Sequence, residues 1–278
     1  PLALFVDQEF EEVIAAADAQ LPFVKRAYNL NVNKGSLDNI SLLLDNSGRF
    51  DPADVSAHDG FVIIHTAAVA GRPRGALLSH NNMLCANLAL NYCFQLTSRD
   101  VHLNLLPLFH VGGLFMASNS FHAGALNINM SKFDADQAVE LIETHRVSLL
   151  FDFAPILSAI LESQAKTGRR IDSLRAVMGI EAPETIEAYQ QRTGGRFYCL
   201  YGQTETSCIA TMAAYDDKPG SAGKPVPLAR VCLVDDYDQA VPQGAVGEIT
   251  VKGPMVFKGY WNLPEDNAYT FREGWHHT

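Results

Sequence analysis

Apolar and polar residues follow two patterns along this chain, and each pattern predicts a different element. Short apolar runs predict β-strands, whereas apolar residues that recur every three to four positions predict amphipathic α-helices. The strand-like runs are residues 2–6, 61–65, 147–151, 174–178 and 196–200, and the helical patterns include residues 9–19, 155–166 and 183–193. Because the two kinds of element alternate, the sequence predicts an α/β fold in which helices flank β-sheets.

Residues that begin and end helices support this assignment. Ser79 is the predicted N-cap of a helix that runs to about residue 95, and Asp134 begins a further helix with Gln137 in the capping-box position. Gly168 and Gly194 follow the two later helical patterns, at positions where glycine commonly ends a helix. These residues predict four helices in the central part of the chain.

The pattern changes after Ala214. Apolar runs at residues 230–234 and 246–252 are separated by turn-forming residues, and helical periodicity is lost. The sequence therefore predicts an α/β region over residues 1–214 and a small β-rich subdomain over residues 215–278.

The composition is that of a folded, water-soluble protein. Of the 278 residues, 47% are hydrophobic and 19% are charged, and 31 acidic residues against 21 basic ones give a net charge of −10. No run of Lys and Arg stands out, so we expect no nucleic-acid partner.

Residues 101–131 contain no Asp, Glu, Lys or Arg, which raises the question of a membrane span. Pro107, His110 and several asparagines interrupt this segment, so we expect it to be buried within the protein instead. The five cysteines show no CxxC or zinc-type spacing, and the N-terminus lacks the basic stretch of a signal peptide. We therefore expect reduced, buried thiols in a cytoplasmic protein without a transmembrane segment.

Residues 201–205, Tyr-Gly-Gln-Thr-Glu, directly follow a predicted strand and are the strongest candidate site. The Tyr201 ring could stack on a base, the Thr204 hydroxyl could reach a phosphate and the Glu205 carboxylate could hold Mg²⁺. When these residues are considered alone, an ordinary turn at the end of a strand is the alternative interpretation.

The loop at residues 66–75 is a candidate phosphate-binding loop. Thr66, two glycines (Gly71 and Gly75) and Arg74 could surround phosphate oxygens with hydrogen-bond donors and positive charge. The loop lacks the Gly-Lys-Ser/Thr ending of a Walker loop. A surface loop of small residues is the alternative.

A third candidate lies in the apolar segment, where Phe109 and His110 precede Gly112 and Gly113. A histidine beside two glycines could border a ligand cavity, but a buried core histidine with close helix packing is the alternative.

A fourth segment, residues 246–261, contains Gly-Glu-Ile-Thr-Val-Lys-Gly-Pro and Gly-Tyr-Trp. A strand, a turn and an aromatic corner also explain that segment.

Taken together, the four segments resemble the adenylate-forming superfamily of acyl-CoA synthetases, luciferases and peptide-synthetase adenylation domains. Their order and spacing match from about residue 61 to residue 278, where the closing Glu-Gly-Trp-His-His-Thr also looks like a family motif. The resemblance is greatest to acid–CoA ligases, in which Pro-Leu-Phe-His followed by glycines is typical. It implies the fold of an acyl-CoA synthetase N-terminal domain: stacked β-sheets flanked by helices, with a small, barrel-like, β-rich subdomain.

The resemblance also implies a reaction that uses ATP, Mg²⁺, a carboxylic acid and CoA. The carboxylate would attack the α-phosphorus of ATP, pyrophosphate would leave, and the acyl group of the resulting acyl-adenylate would pass to the CoA thiol. Because two anions must be brought together, positioning and charge neutralisation should dominate catalysis.

The family's motifs imply roles for individual residues. Tyr201 would stack on adenine, Thr204 would contact the α-phosphate and Glu205 would coordinate Mg²⁺. His110 would stand at the mouth of the acyl pocket and complete the catalytic set. The other implied nucleotide contacts are Thr66, Gly71, Arg74, Gly75, Gly179, Glu181, Ala182, Pro183, Gly202 and Gln203.

The acyl pocket is implied by the same motifs. Gly112, Gly113 and Gly202 would leave space for the acyl chain, and Phe109 would join them in the pocket. Ile180 stands where the family prefers a second consecutive glycine and would narrow this space. The identity of the acid and the oligomeric state stay open.

The phosphate loop departs from the family's Thr-Ser-Gly-Thr-Thr-Gly-x-Pro-Lys-Gly. Residues 67–70, Ala-Ala-Val-Ala, replace a Ser, a Gly and two Thr, so three hydroxyl donors are absent. One such donor contributes about 2–4 kcal/mol in a well-ordered site. Arg74 keeps the charge of the usual Lys as a planar guanidinium. ATP handling is therefore the step that this sequence alters most.

Three functions are compatible with these residues. The first is an acid–CoA ligase, the second an adenylate-binding protein that has lost catalysis through the altered loop, and the third an α/β interaction domain without a nucleotide site. Retention of Thr204 and Glu205 favours the first. The family's C-terminal lid with its catalytic lysine, and an N-terminal segment, fall outside these residues, so we expect the 278 residues alone not to complete the reaction.

Overall fold

Alternating strands and helices build two units in the computed structural model, Pro1–Asp54 and Val55–Thr278. The structure describes residues 2–17, 21–31, 37–44, 48–49, 51–66 and 71–278. The first unit contains a parallel sheet of β1 (Ala3–Val6), β2 (Arg26–Asn29) and β3 (Asp38–Asn39), and two short helices, α1 (Glu11–Ala17) and α2 (Ser41–Leu44).

Two predicted elements fall in this first unit. The strand predicted at residues 2–6 is confirmed as β1. The helix predicted at residues 9–19 begins as a 3₁₀ turn, Gln8–Phe10, and continues as α1, while its predicted end at Ala19 lies outside the described residues. The apolar residues Phe10 and Val13 are exposed, so the helical pattern does not correspond to a buried face here.

A seven-stranded sheet organises the second unit. Its strands, in spatial order, are β12 (Lys224–Pro225), β11 (Thr211–Ala214), β10 (Arg196–Tyr201), β9 (Ala176–Ile180), β8 (Leu149–Phe153), β6 (Val101–Asn104) and β7 (Leu126–Asn129). The strands from β10 to β7 are parallel, whereas β11 and β12 add to one edge in antiparallel fashion. The accompanying helices are α3 (His80–Phe94), α4 (Val111–Ala123), α5 (Ala135–His145), α6 (Ile156–Thr167) and α7 (Pro183–Thr193).

The two faces of this sheet bury different sets of side chains, because successive residues of a strand point to opposite faces. Leu149, Phe151 and Met178 belong to a buried cluster shared with α3 and α4. Leu150 and Val177 belong to a second buried cluster, shared with α5, α6 and α7. The parallel sheet is therefore covered by helices on both faces, which agrees with the predicted α/β fold.

Two smaller antiparallel sheets complete the second unit. One contains β4 (Gly60–His65), β5 (Gly75–Ser79) and β15 (Gly259–Tyr260), and the other contains β13 (Arg230–Val234), β14 (Glu248–Lys252), β17 (Trp275–His277) and β16 (Phe271–Arg272). Helix α8 (Pro264–Thr270) precedes β16. The four-stranded sheet lies in the region predicted to be β-rich, and the subdomain boundary after residue 214 stays a prediction.

The predicted helix ends are confirmed at residue level. The Ser79 hydroxyl accepts the Asn82 N–H at 3.1 Å, and the Asn82 side chain accepts the Ser79 N–H at 2.8 Å, which completes a capping box. The Asp134 carboxylate accepts the Gln137 N–H at 2.8 Å at the start of α5, so the N-cap is confirmed, but the described residues show no return bond from the Asp134 N–H to the Gln137 side chain and the predicted capping box is not completed. Gly168 and Gly194 end α6 and α7 in the left-handed conformation.

Three predicted strands begin two residues too early in the sequence. The runs at 147–151, 174–178 and 246–252 correspond to β8, β9 and β14, which begin at Leu149, Ala176 and Glu248. Val147 and Leu174 are fully buried but lie in the turns that lead into their strands, whereas Val246 is exposed. The apolar pattern thus marked burial correctly in the first two runs and the strand boundary incorrectly in all three.

The uncharged segment at residues 101–131 forms β6, α4 and β7, and many of its side chains are buried, as predicted. Within the described residues, none of the helices combines the length and apolar character needed to cross a bilayer. All five cysteines are free thiols, of which Cys208 is fully buried and the other four are partly buried.

A buried carboxyl group lies at the end of β8. Asp152 is 1% exposed, and its Oδ1 accepts the Leu157 N–H at 3.0 Å while Oδ2 has no hydrogen-bond partner among the described residues. Burial, and after it the nearby Glu181 carboxylate, raise the pKa of Asp152 to about 7. The folded chain therefore favours the protonated form of this group.

Replacement of the α3 cap is expected to destabilise the fold. Ser79→Ala removes the acceptor for the Asn82 N–H, so the free energy of unfolding should fall by about 1 kcal/mol. Urea titration followed by circular dichroism measures the change. The exposed Ser131 provides a control, because Ser131→Ala should stay within about 0.5 kcal/mol of the parent chain. Equal losses in both variants would contradict a stabilising cap.

Asp152 is expected to make stability depend on pH. Its pKa is raised in the folded state, so its contribution to stability is complete below the unfolded pKa of about 4 and is lost as the pH rises through about 7. The amide of Asp152→Asn does not titrate and avoids this loss. The stability of the variant relative to the parent should therefore rise, on the order of 2–4 kcal/mol, as the pH increases from 4 to 7. Urea titrations across this range test it, with Asp217→Asn at an exposed site as control. Parallel pH profiles for parent and Asp152→Asn would contradict the buried-acid interpretation.

Candidate active site

The carboxyl ends of the parallel strands β8, β9 and β10 border a cavity of about 770 Å³. The last residue of each strand, namely Phe153, Ile180 and Tyr201, lies in its wall. Open α/β sheets commonly bind ligands at this end of their strands. The structure brings the following predicted site residues together around the cavity: Thr66, Arg74, His110, Tyr201, Gly202, Gln203, Thr204 and Glu205.

A close backbone contact shapes the turn after β10. A Cβ atom on Gly202 would lie 1.9 Å from the Cys208 carbonyl oxygen, so this position requires glycine. Gln203 then begins a 3₁₀ turn, and its carbonyl accepts the Cys208 N–H at 3.0 Å. This turn holds Thr204 and Glu205, which are 9% and 5% exposed, in the wall of the cavity.

The Glu205 carboxylate is held by a tyrosine from a distant part of the chain. The Tyr260 hydroxyl donates to Glu205 Oε1 at 2.6 Å, and both residues are buried. The Phe257 N–H donates to the Glu205 carbonyl at 2.8 Å. Burial, and next the Glu205 carboxylate, raise the pKa of Tyr260, so its hydroxyl stays a donor near neutral pH.

Arg74 lies beside this pair and keeps a positive charge at the cavity. Its guanidinium carbon is 4.1 Å from the centre of the Tyr260 ring, and its Nη1 is 3.3 Å from an Asp266 carboxylate oxygen. Its backbone N–H donates to the Thr66 hydroxyl at 3.2 Å. Arg74 and Thr66 therefore lie together as the predicted phosphate loop requires, with the Arg74 charge partly balanced by a carboxylate.

The remainder of the predicted phosphate loop is described in part. The altered residues 67–70 lie outside the described residues. Gly71 adopts φ +115°, a conformation that favours glycine, and Gly75 begins β5. Arg72 lines the cavity and adds a second guanidinium to that of Arg74.

His110 is the N-cap of α4 and lines the cavity. Its Nδ1 accepts the Gly112 N–H at 3.1 Å, so the neutral ring carries its proton on Nε2. Partial burial lowers the pKa of His110 below its usual value. The ring meets the Phe153 ring edge-on, with centroids 5.8 Å apart. His110 thus stands where polar and aromatic parts of the wall meet.

The two glycines after His110 have close packing neighbours. A Cβ atom on Gly113 would lie 2.3 Å from the Pro107 carbonyl oxygen, and one on Gly112 would lie 2.9 Å from the Phe151 ring. Neither glycine lines the cavity, and Phe109 is 82% exposed and outside its wall. These glycines allow the start of α4 to pack closely, and the acyl-pocket role of Gly112, Gly113 and Phe109 stays a prediction.

The segment at residues 179–183 contributes one side chain to the cavity. Ile180 is 59% exposed and lies in the wall, and the narrowing of an acyl pocket by its side chain stays a prediction. Its neighbours lie outside the wall. Gly179 packs against the Asp152 carbonyl, Glu181 accepts the Ala182 N–H at 2.9 Å, and Ala182 and Pro183 begin α7. Their contacts with a nucleotide stay a prediction.

His276 lines the cavity although sequence analysis did not single it out. Its Nε2 lies 3.0 Å from Gln203 Nε2, and its ring packs against Phe257 and Phe271. Burial is the main cause that lowers the pKa of His276 to about 4, so the ring is neutral and accepts the Gln203 amide hydrogen. The closing Glu-Gly-Trp-His-His-Thr motif contained the signal that could have identified it.

The residues around Glu205 fit a magnesium ion that a nucleotide brings with it. The Tyr260 hydroxyl donates to Oε1, and the hydrogen bonds of the described residues include none that is accepted by Oε2. Mg²⁺ is commonly bound by one or two carboxylates together with substrate phosphates, so one carboxylate in this cavity is sufficient.

Another group of possible metal ligands is better explained without a metal. The ligand atoms of Asp238, Glu248 and His277 lie within 4.8 Å of one another. The Arg272 guanidinium donates to Asp238 at 2.9 Å and to Glu248 at 3.2 Å, and it holds the pKa of Asp238 below its usual value. These carboxylates are therefore already neutralised by a cation of the chain.

Comparison with known proteins identifies relatives over most of the chain. The family of AMP-binding enzymes matches residues 3–261. Indoleacetate–CoA ligase of Aromatoleum aromaticum is 33% identical over 244 residues, covering 85% of this chain and 48% of that protein. Feruloyl-CoA synthase of an Amycolatopsis species is 32% identical over 247 residues, covering 84% of this chain and 50% of that protein. The chain thus spans about half the length of these relatives.

Solved structures share the fold. A Rhodopseudomonas palustris protein provisionally assigned as a long-chain-fatty-acid CoA ligase has a TM-score of 0.94 and 41% identity, covering 100% of this chain and 70% of that one. MatB of the same organism, with ATP bound, has a TM-score of 0.85 and 30% identity, covering 100% of this chain and 56% of that one. The chain therefore belongs to the family of AMP-binding enzymes, the adenylate-forming acid–CoA ligases, and has the fold of their N-terminal domain.

Proposed function

We propose that this chain is the nucleotide- and acid-binding part of an acid–CoA ligase. A carboxylate oxygen of the acid attacks the α-phosphorus of ATP, the bond to the β-phosphate oxygen breaks, and pyrophosphate leaves. The CoA thiol then attacks the acyl carbon of the acyl-adenylate and AMP leaves. The observation that carries this proposal is the buried Thr204–Glu205 turn, held by the Gly202 contact in the wall of a cavity of about 770 Å³.

The polar half of the cavity suits a nucleotide. Arg72 and Arg74 place two guanidinium groups in its wall, where they neutralise phosphate charge. The Thr204 hydroxyl donates to the α-phosphate, and the Tyr201 ring stacks on adenine. When Mg²⁺ is bound with the nucleotide, it neutralises phosphate charge beside Glu205. Because two anions must meet, these positive charges lower the repulsion between the carboxylate and the triphosphate.

The apolar half of the cavity suits the body of the acid. Phe151 and Phe153 lie 5.2 Å apart between ring centroids, and Ile180 and Leu200 complete this part of the wall. His110 stands at its polar edge, where the carboxylate must approach the nucleotide. An aromatic or aliphatic monocarboxylic acid matches these contacts, and the indoleacetate and feruloyl ligases to which the chain is similar act on aromatic acids.

Binding of an acyl-adenylate analogue tests the proposal directly. Calorimetry should show that AMP binds to the chain and that an acyl-sulfamoyladenosine binds at least about tenfold more tightly, because its acyl group also buries apolar surface. Failure of both ligands to bind would overturn the proposal. Equal affinities would contradict an acyl pocket in this cavity.

Pyrophosphate release separates the ligase from its alternative. The measurement uses ATP, Mg²⁺ and a panel of aliphatic and aromatic acids, with this chain and with any longer natural protein that contains it. Release that depends on one class of acid supports a ligase. AMP binding without release from the longer protein would favour the adenylate-binding protein, in which the Ala-Ala-Val-Ala loop has removed catalysis.

Ile180 is expected to limit the size of the acid. Ile180→Ala removes side-chain volume from the wall, so the affinity for analogues with bulky aromatic acyl groups should rise about three- to tenfold while AMP affinity stays constant. The control is Val246→Ala, at a residue that is 96% exposed and outside the cavity wall. Unchanged relative affinities for bulky and small acyl groups would place the acid elsewhere.

A further inference from the structure

Tyr260 connects the nucleotide side of the cavity with a part of the chain distant in sequence. It is 3% exposed, lies in β15 beside β5, and donates its hydroxyl to Glu205 Oε1 at 2.6 Å. A buried tyrosine hydroxyl can be satisfied by any backbone carbonyl. Here its acceptor is instead the carboxylate that the proposed function assigns to the metal.

The backbone of Tyr260 is fixed from both sides by one asparagine. The Tyr260 N–H donates to Asn267 Oδ1 at 2.6 Å, and Asn267 Nδ2 donates back to the Tyr260 carbonyl at 3.0 Å. The preceding Gly259 has φ +135°, and a Cβ atom there would lie 2.9 Å from the Asn267 side chain. Gly259 thus allows Asn267 to approach closely enough to hold the peptide.

The ring of Tyr260 is fixed as well. The Arg74 guanidinium lies over it at 4.1 Å, and the Phe257 ring packs edge-on with centroids 4.9 Å apart. Backbone and ring together leave the hydroxyl little freedom. A donor that cannot move determines the orientation of a carboxylate that accepts its hydrogen bond.

We propose that Tyr260 is a positioning residue for Glu205: its fixed hydroxyl holds one carboxylate oxygen and so leaves the other oriented for the magnesium ion of the bound nucleotide. This inference rests on the proposed function. The arrangement costs the carboxylate no reorganisation when nucleotide and metal arrive, because Oε1 already has its partner. Without the hydroxyl, a buried Oε1 would lack a donor and the carboxylate would turn toward other partners.

The variant Tyr260→Phe tests this role because it keeps the ring, and with it the Arg74 and Phe257 contacts, and removes only the hydroxyl. Calorimetry would measure ATP affinity with and without Mg²⁺, and AMP affinity as a reference that needs no metal. We expect the Mg²⁺-dependent gain in ATP affinity to fall about tenfold or more. AMP affinity should change by less than about twofold, which also verifies that the variant is folded. Tyr237→Phe, at a residue 84% exposed, is the control and should match the parent.

A double-mutant cycle distinguishes positioning from a general structural effect. Glu205→Gln should remove the Mg²⁺-dependent gain, and Tyr260→Phe added to it should cause no further loss, because the hydroxyl acts through the carboxylate. Additive losses, an equal loss of AMP affinity, or an unchanged Mg²⁺-dependent gain in Tyr260→Phe would overturn the inference alone. Absence of nucleotide binding by the parent chain would overturn the proposed function and the inference with it.

Discussion

The backbone contact between Gly202 and Cys208 is the constraint on which the candidate site depends. It folds the chain back directly after β10, so that the next two buried residues, Thr204 and Glu205, lie at the end of the parallel sheet. The sheet is itself covered by helices on both faces and cannot easily shift. The positions of Thr204 and Glu205 are therefore determined by the rigid sheet and by Gly202.

The cavity brings basic side chains together in a chain that is acidic overall. The net charge is −10, and the wall contains Arg72 and Arg74 beside the acidic Glu205 and Glu248. Arg74 is held over an aromatic ring and beside Asp266, which keeps its position defined before any anion arrives. A preorganised cation of this kind suits the meeting of two anions better than a mobile one.

Patterns that concern neighbouring residues were predictable from the sequence, whereas contacts between distant residues were not. The Ser79 cap and the strand before Tyr201 are local signals, and both are confirmed. The Glu205–Tyr260 hydrogen bond joins residues that are 55 positions apart, and the sequence around neither residue indicates this contact. Glycine spacing indicated a close approach at Gly113 without revealing that the neighbour is a backbone carbonyl and not a ligand.

Successive side chains of β8 and β9 enter two different buried clusters, and this limits the changes of sequence that the site can accept during evolution. A deletion or insertion of one residue within either strand would exchange its two faces, expelling Phe151 or Met178 from one cluster and disordering the wall at Ile180. Changes of length are thus confined to the connecting loops. A change in specificity for the carboxylic acid must therefore arise by replacement of side chains at the strand ends, where the backbone of the sheet keeps its position.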